Sequence, residues 1–350
     1  MMDAVNPDQE PIVEARREGW GFWRLLGGAL LLAALLYLSA LALVLLVPEQ
    51  NNYALASNLK HDRLEALAGN RVVLVGGSNL AFGIDSKAIE AQVGCPVVNM
   101  GMNGYFGVRF MLSEVEPQLR SGDVVVLAFE WDNYFKSVEG TAANLLVVAK
   151  ANPRAFAALS WQQRWDVAAN GVPYAARQKA LRLVGDALSA GDLLLRGDRD
   201  DDDEDTFIYN IETLEGFNPE GDLESHLGVD WPFEFEQAII TDTIDPEVIP
   251  MIEKFVSDME ARGVRVMISY TPLMRASYDQ NGVALAAVDQ RLQADLPGRL
   301  PSHPQNYVYD ADLFFDTVYH LDAEGRQERS ARLASDIASG NPSTCGGAPS

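Results

Sequence analysis

The sequence predicts an α/β protein: a parallel sheet with helices on both faces, three layers deep, preceded by one N-terminal transmembrane helix. Three observations point there. From residue 71 onwards, short apolar segments alternate with amphipathic ones, as strand and helix do in a parallel sheet. The apolar segments at 72–75 and 124–129 are unbroken runs rather than alternating ones, which is the pattern of strands buried on both faces. Residues 25–47 form a stretch of 23 residues without a charge.

That stretch comes first in the chain. As a helix it would be about 34 Å long, against about 30 Å for the hydrocarbon core of a bilayer. Arg16, Arg17 and Arg24 precede it, and no Lys or Arg follows until Lys60. The excess of positive charge on the N-terminal side places residues 1–24 in the cytoplasm and residues 50–350 outside, with the chain in the inner (cell) membrane as a single-pass protein. Trp20, Phe22 and Trp23 suit the interfacial belt. A cleaved signal peptide is the alternative, because Ala40-Leu41-Ala42 resembles a cleavage site. The apolar run is longer than a signal core and continues past that site to Val47, which favours an uncleaved anchor.

Residues 48–70 read as a juxtamembrane linker and 71–340 as the α/β domain. Within it, 72–75 is the first strand. Asp85 caps a helix over Ser86–Val93, with Gly94 just past its end. Residues 97–99 make a short second strand, and 108–119 a helix with apolar Phe110, Leu112 and Val115. The Ser121-Gly122-Asp123 turn introduces the third strand at 124–129. Regularity then stops, and 133–248 reads as an insertion, helical at first and then acidic and aromatic. It resumes with a helix at 246–262, a strand at 264–270, a helix around 283–296, a short strand at 307–309 and a last helix at 323–338 capped by Asp322. Residues 341–350 read as a disordered tail.

The chain carries a net charge of −23, of which −20 lies beyond residue 50. Such a surface repels nucleic acid and anionic lipid and suits a neutral or cationic partner. Residues 198–205 hold seven acids in eight positions. A solvated loop is the default reading of such a run. Calcium capture is the sharper one, but the spacing and the turn glycine of an EF-hand loop are missing. Of two cysteines, Cys95 and Cys345, the second lies in a Gly/Pro/Ser tail, which favours a thiol outside any bridge, although an oxidising compartment permits one.

Three segments carry the chemistry. Arg71-Val-Val-Leu-Val-Gly-Gly-Ser-Asn79 places Ser78 at the carboxyl end of the first strand, where open α/β sheets build their sites. Asn99-Met-Gly-Met-Asn103-Gly104 follows the second strand and offers a backbone N–H at Gly104 and a side-chain donor at Asn103 to an oxyanion. Phe315-Asp316-Thr-Val-Tyr-His320 precedes the last helix. Histidine is scarce, with only His61, His226, His303 and His320, so this placement carries weight. Ser78, His320 and Asp316 together supply nucleophile, base and orienter. Each segment has a bland reading by itself: a tight turn, a second turn, and a surface histidine beside a capping aspartate. No phosphate-binding or dinucleotide-binding glycine motif is present, and position 80 is Leu, so the Gly-x-Ser-x-Gly elbow is absent too. The reading needs no metal and no cofactor.

Taken together, the three segments resemble the SGNH (GDSL-like) hydrolase superfamily over about residues 70–340, and within it the membrane-anchored extracytoplasmic branch. The resemblance assigns Ser78 to the first block, Asn99 to Gly104 to the second, and Asp316 with His320 to the last. It implies a flavodoxin-like strand order 2-1-3-4-5. It also implies a serine esterase or O-acyltransferase acting on acyl groups, acetyl above all, of envelope or exported glycans. The partners implied are an acylated carbohydrate or other ester and a membrane-bound acyl-donor protein. The segment Phe217-Asn218-Pro-Glu-Gly-Asp222-Leu-Glu-Ser-His226 is similar to one in that branch, which makes Asn218, Asp222 and His226 substrate-pocket candidates. Three departures stand out. Gly77 replaces the usual Asp, the Asp-to-His spacing is one residue longer, and the third block reads Glu130-Trp-Asp-Asn133 in place of Gly-x-Asn-Asp. The oxyanion asparagine is therefore missing or shifted, with Asn133, Asn103 or Asn79 as substitutes. The alternative from another class is a catalytically degenerate, SGNH-like component that binds glycan or assembles an envelope polysaccharide system.

Overall fold

The computed structural model describes residues 12–196, 208, 210–232, 240 and 243–340. The acidic run 198–205, Cys345 and the 341–350 tail lie outside the described residues. The chain divides into two compact units, one of residues 1–48 with 172–198, the other of residues 49–171 with 199–350.

The first unit contains α1, Ile12–Leu46, and α9, Val172–Arg196. The apolar part of α1, Gly21–Leu46, has a mean hydropathy of 2.7 and is long enough to cross a membrane. Most of its leucines are exposed, while Leu41 and Leu43 are half-buried and Val44 is buried. The helix does not begin at residue 25. It runs on from Ile12, through Gly19 and Gly21, in a segment that contains no proline after residue 11. The two carbonyls just past its end are bound from α9: Lys179 Nζ donates to Val47 O at 2.8 Å and to Pro48 O at 3.1 Å, and Arg182 reaches Pro48 O at 3.1 Å. Cations there also complement the negative end of the helix dipole.

The second unit is built on a four-stranded parallel sheet in the order β2-β1-β3-β4, formed by β1 Val72–Gly76, β2 Val97–Asn99, β3 Val124–Ala128 and β4 Arg265–Ile268. Every residue of β1, β2 and β3 is buried, which explains their unbroken apolar runs. Alternation divides them between two faces. Val72, Leu74, Val124, Val126 and Ala128 form one core with Leu80, Ile89, Leu333 and Ile337. These last residues belong to α3 Ser78–Gly83, α4 Ser86–Val93 and the final helix, α12 Ala323–Gly340. On the other face α5, Gly107–Val115, packs against β1. Asp85 caps α4 by accepting the Ala88 N–H at 3.0 Å, and Gly94 ends it in the left-handed conformation at φ 72°.

The first four positions of the expected order 2-1-3-4-5 hold and the fifth does not. The strand expected at 307–309 is β6, Val308–Tyr309, and it pairs in parallel with β5, Leu273–Met274, instead of with β4. β4 stops at Ile268, whose N–H is taken by Arg299 O at 2.8 Å, so its ladder has no free edge there. Helices α10, Val248–Ala261, and α11, Arg275–Asp295, complete the set.

One sequence boundary needs correction. Residues 48–70 are not a linker: α2, Ala56–Ala66, packs on the domain and buries Ser57, Lys60, His61 and Leu64. Lys60 Nζ donates to Asn99 O at 2.9 Å and also to Gly221 O, while His61 Nε2 pairs with Glu114 at 2.9 Å. Burial lowers the Lys60 pKa to about 7, with Asp222 and Glu114 opposing the shift. Helices α6 Ala142–Ala151, α7 Pro153–Ala158 and α8 Trp161–Asp166 belong to the second unit, and the chain returns to the sheet beyond residue 210. There Asn99 N–H donates to Glu220 O at 2.9 Å and Leu223 N–H to Ala81 O at 2.8 Å. Cys95 sits in the core and is disulfide-bonded, contrary to the reading of thiols outside any bridge that the tail around Cys345 favoured.

At the amino-terminal edge of the sheet, Arg71 and Asp123 form an ion pair with no exposed side-chain surface. Arg71 Nη2 meets Asp123 Oδ2 at 2.5 Å and Nε meets Oδ1 at 3.2 Å. The guanidinium also donates to Gln118 O at 3.0 Å and to Leu64 O. Asp123 further accepts the Arg120 N–H at 2.9 Å. The pair joins the start of β1 to the start of β3 and leaves the opposite edge for chemistry.

Candidate active site

The strand order reverses between β1 and β3, and the crevice at a reversal, outside the carboxyl ends of the strands, is where open sheets hold ligands. Ser78 opens α3 directly after β1. The glycines before it are there for space. A Cβ on Gly76 would meet Ala128 O at 2.3 Å, and one on Gly77 would meet Glu130 Oε1 at 2.4 Å. The second contact explains why no aspartate stands at 77: a carboxylate from the end of β3 fills that place.

Ser78 Oγ lies 2.8 Å from His320 Nε2, and His320 Nδ1 lies 2.7 Å from Asp316 Oδ1. A tight loop holds the last two residues. Phe315 N–H donates to His320 O at 2.9 Å, and Thr317 Oγ1 accepts the N–H groups of Tyr319 and His320, both at 3.2 Å. This turn takes up the extra residue between Asp316 and His320. The Phe82 ring stacks on the imidazole with centroids 4.0 Å apart and planes 3° apart, which fixes its orientation. Burial opposes protonation of this imidazole. The Asp316 carboxylate, by charge and hydrogen bond, with Glu130 and Glu212 beyond it, outweighs that effect and holds the pKa above 6.5.

A cavity of about 520 Å³ opens over Ser78 and His320, within the range of small-molecule sites. Gly104, Asn103 and Asn133 line it. Asn103 Oδ1 accepts the Tyr105 N–H at 2.8 Å and so shapes the loop. Asn133 Nδ2 donates to Gly104 O at 2.8 Å, and its Oδ1 accepts the Glu130 N–H at 3.1 Å, so this amide braces the two sides of the cavity against each other. Asn79 does not line it. Its side chain turns inward, donating to Ala128 O at 3.1 Å and accepting from Arg329 Nη2 at 2.7 Å.

The candidates at 218–226 also lie away from the cavity. Asp222 is fully buried and accepts from Ser86 N–H at 2.8 Å, Ser86 Oγ at 2.7 Å and Asn99 Nδ2 at 2.8 Å. Asn218 Oδ1 accepts three successive N–H groups, of Glu220, Gly221 and Asp222. His226 packs against Phe82 and Phe315, with Nε2 3.2 Å from Leu321 O, and burial pushes its pKa down to about 4. These three residues support the floor under Ser78 and His320; polar residues in an irregular segment look alike in sequence whether they brace or bind.

Two acidic residues of the site were not singled out from the sequence. Glu130 Oε1 stands 3.1 Å from Ser78 Oγ and 3.1 Å from the Asn79 N–H. Glu212 also lines the cavity, and burial, with Asp316 adding to it and His320 opposing, raises its pKa to about 7. The signal for Glu130 was its place at the end of an apolar strand, the same signal that marked Ser78. Across the cavity, Lys136 pairs with Asp132 at 2.5 Å and lies over the Tyr105 ring at 5.3 Å.

Neither a comparison with models of known protein families nor one with curated proteins finds a match for this chain.

Proposed function

We propose that this protein is a membrane-anchored serine esterase or O-acyltransferase of the SGNH type, acting outside the cytoplasm on acyl groups of envelope or exported glycans. One observation carries the reading: the unbroken hydrogen-bonded chain Ser78–His320–Asp316 at the mouth of a cavity of substrate size. Ser78 Oγ attacks the ester carbonyl while His320 Nε2 takes its proton. Asp316 holds the imidazole tautomer and balances the cation. The alcohol leaves with the proton from Nε2, and an acyl group remains on Ser78. Water or a sugar hydroxyl then takes the acyl group by the reverse sequence. The apolar helix Gly21–Leu46 and the arginines before it support an anchor with the cavity on the outer side. The glycan class and the acyl-donor protein rest on the family resemblance.

Full-length protein should label with a fluorophosphonate and turn over p-nitrophenyl acetate. Added oligosaccharide separates the two activities: acyl transfer faster than hydrolysis identifies a transferase, and the reverse an esterase. Protein that folds but neither labels nor turns over ester supports the glycan-binding alternative. That alternative has one observation in its favour, the Glu130 carboxyl beside the nucleophile where negative charge would develop. Residues 50–350 should resist protease added from the cytoplasmic side and stay with membranes through carbonate washing. A soluble external form beginning near residue 43 would overturn the anchor.

A further inference from the structure

Ser78 Oγ has two neighbours at hydrogen-bond distance, His320 Nε2 at 2.8 Å and Glu130 Oε1 at 3.1 Å. A serine hydroxyl carries one hydrogen. A neutral imidazole that donates from Nδ1 to Asp316 can only accept at Nε2, and a carboxylate can only accept. Two acceptors thus face one hydrogen. Both contacts form only when one further proton sits on Nε2 or on the Glu130 carboxyl. Glu130 is built in rather than stray. Its side chain accepts the Asn79 N–H at 3.1 Å and the Asn133 N–H in a capping box, and it fills the space beside Gly104 so fully that a Cβ there would come within 1.8 Å of Oε2. The lysine that lines the cavity, Lys136, is paired with Asp132.

We propose that Glu130 and His320 share one proton across Ser78 Oγ, and that in the reactive form this proton rests on Glu130, whose neutral carboxyl donates a hydrogen bond to the oxyanion. Glu130 is then a catalytic residue, and the inference rests on the acyl-transfer reading above. As the Oγ–carbon bond forms, the Oγ proton passes to Nε2 and the carbonyl π pair moves onto the carbonyl oxygen. The Glu130 O–H turns from Oγ to that oxygen and keeps its proton. Collapse returns the pair, breaks the bond to the leaving alcohol and moves the Nε2 proton onto it. A carboxyl kept neutral in a shielded site is an established oxyanion donor. An ionised carboxyl in the same place would oppose the charge that develops.

Activity therefore needs the pair to hold one proton. With two, His320 is an imidazolium and no base. With none, Glu130 repels the oxyanion. Both limbs of the pH profile belong to the pair. The other groups that act on it are few. Asp316 and Tyr319 face it from the last loop, and Asp132 with Lys136 from the turn after β3. Glu212 and His226 face it from the returning segment, Tyr53 from the turn before α2, and Arg329 from α12. The raised pKa of His320 fits this arrangement, since Glu130 is one of the charges that raise it.

The test is the pH profile of kcat/KM for p-nitrophenyl acetate with full-length wild type, Glu130→Gln and Glu130→Ala. Wild type should give a bell. Glu130→Gln keeps a neutral donor, so it should lose about tenfold or less, on the scale of one neutral hydrogen bond. Its alkaline limb should vanish, and its acid limb should stay in place or move to higher pH, because Glu130 is already neutral in the doubly protonated wild type and Gln only removes a second group from which that form can lose a proton. Glu130→Ala should fall about 10²–10³-fold, the cost of one oxyanion donor. The inference is overturned if Glu130→Ala is as active as wild type, if Glu130→Gln falls as far as Glu130→Ala, or if the alkaline limb survives in Glu130→Gln. Should Glu130→Ala fail to fold, the Glu130→Gln profile decides alone. Wild type that does not label, or Ser78→Ala that still does, defeats the acyl-transfer reading itself.

Discussion

Ser78→Ala should abolish fluorophosphonate labelling and lower ester turnover by about 10⁴-fold or more, and His320→Ala should come close to it, because in the proposed mechanism nucleophile and base act as one unit. Asp316→Asn should keep the fold and lose roughly 10⁴-fold in kcat, since an amide at 2.7 Å from Nδ1 would stabilise the wrong tautomer and no longer balance the imidazolium. The measurement is labelling and kcat on the same preparations, with circular dichroism to show that each variant folds. Turnover that survives Ser78→Ala within about tenfold would assign the chemistry to another group, because the unit effect leaves no room for so small a loss.

The largest effect on stability is expected at the other edge of the sheet. Asp123→Ala leaves the Arg71 guanidinium buried without its counter-charge, and such breakage costs about 3–5 kcal/mol. Thermal and denaturant melts of the full-length protein should register that loss. Replacing both partners by apolar residues of similar volume, Arg71→Met with Asp123→Leu, should recover most of it, because no charge is then left in the interior. A single Asp123→Ala that melts within about 1 kcal/mol of wild type, as an exposed pair would, contradicts the burial seen for the two side chains.

What could be read from the sequence follows from which interactions leave a periodic trace. The runs 72–75 and 124–129 are visible because parallel strands buried on both faces have no polar positions. Asp85 and Gly94 are visible because a helix end needs a side-chain acceptor and a left-handed residue. Ser78, Asp316 and His320 stand out as chemistry-bearing residues at the ends of such elements. The helix α2 left no trace, since its buried face is made of Ser57, Lys60 and His61, which are satisfied by carbonyls and carboxylates far along the chain. The bracing role of Asp222 and His226 was hidden for the same reason: their partners at Ser86, Asn99 and Leu321 are remote. The edge of the sheet depended on whether β6 meets β4 or β5, and two residues of strand contain too little pattern to decide it. Glu130 was legible as a residue at the end of an apolar strand and as a departure from a block, but a residue that replaces a glycine in a pattern announces a difference and not a role.

The arginines of α12 finish the loop that begins the domain. Arg329 donates to Asn79 O at 2.5 Å across a separation of 250 residues, Arg326 donates to Ile84 O at 2.6 Å, and Ser330 Oγ accepts the Asp85 N–H at 2.8 Å. Translation supplies these partners last. At about 5–20 residues per second, the interval between the synthesis of Ser78 and that of His320 is roughly ten seconds to a minute. Throughout it the serine has neither a base beside it nor a brace behind it, and closing so long a loop is among the slow steps of folding. On the proposed chemistry the Ser78 hydroxyl gains its base and its brace only as the last loop and the final helix dock, so a copy truncated before Asp316 should be inert rather than indiscriminately reactive.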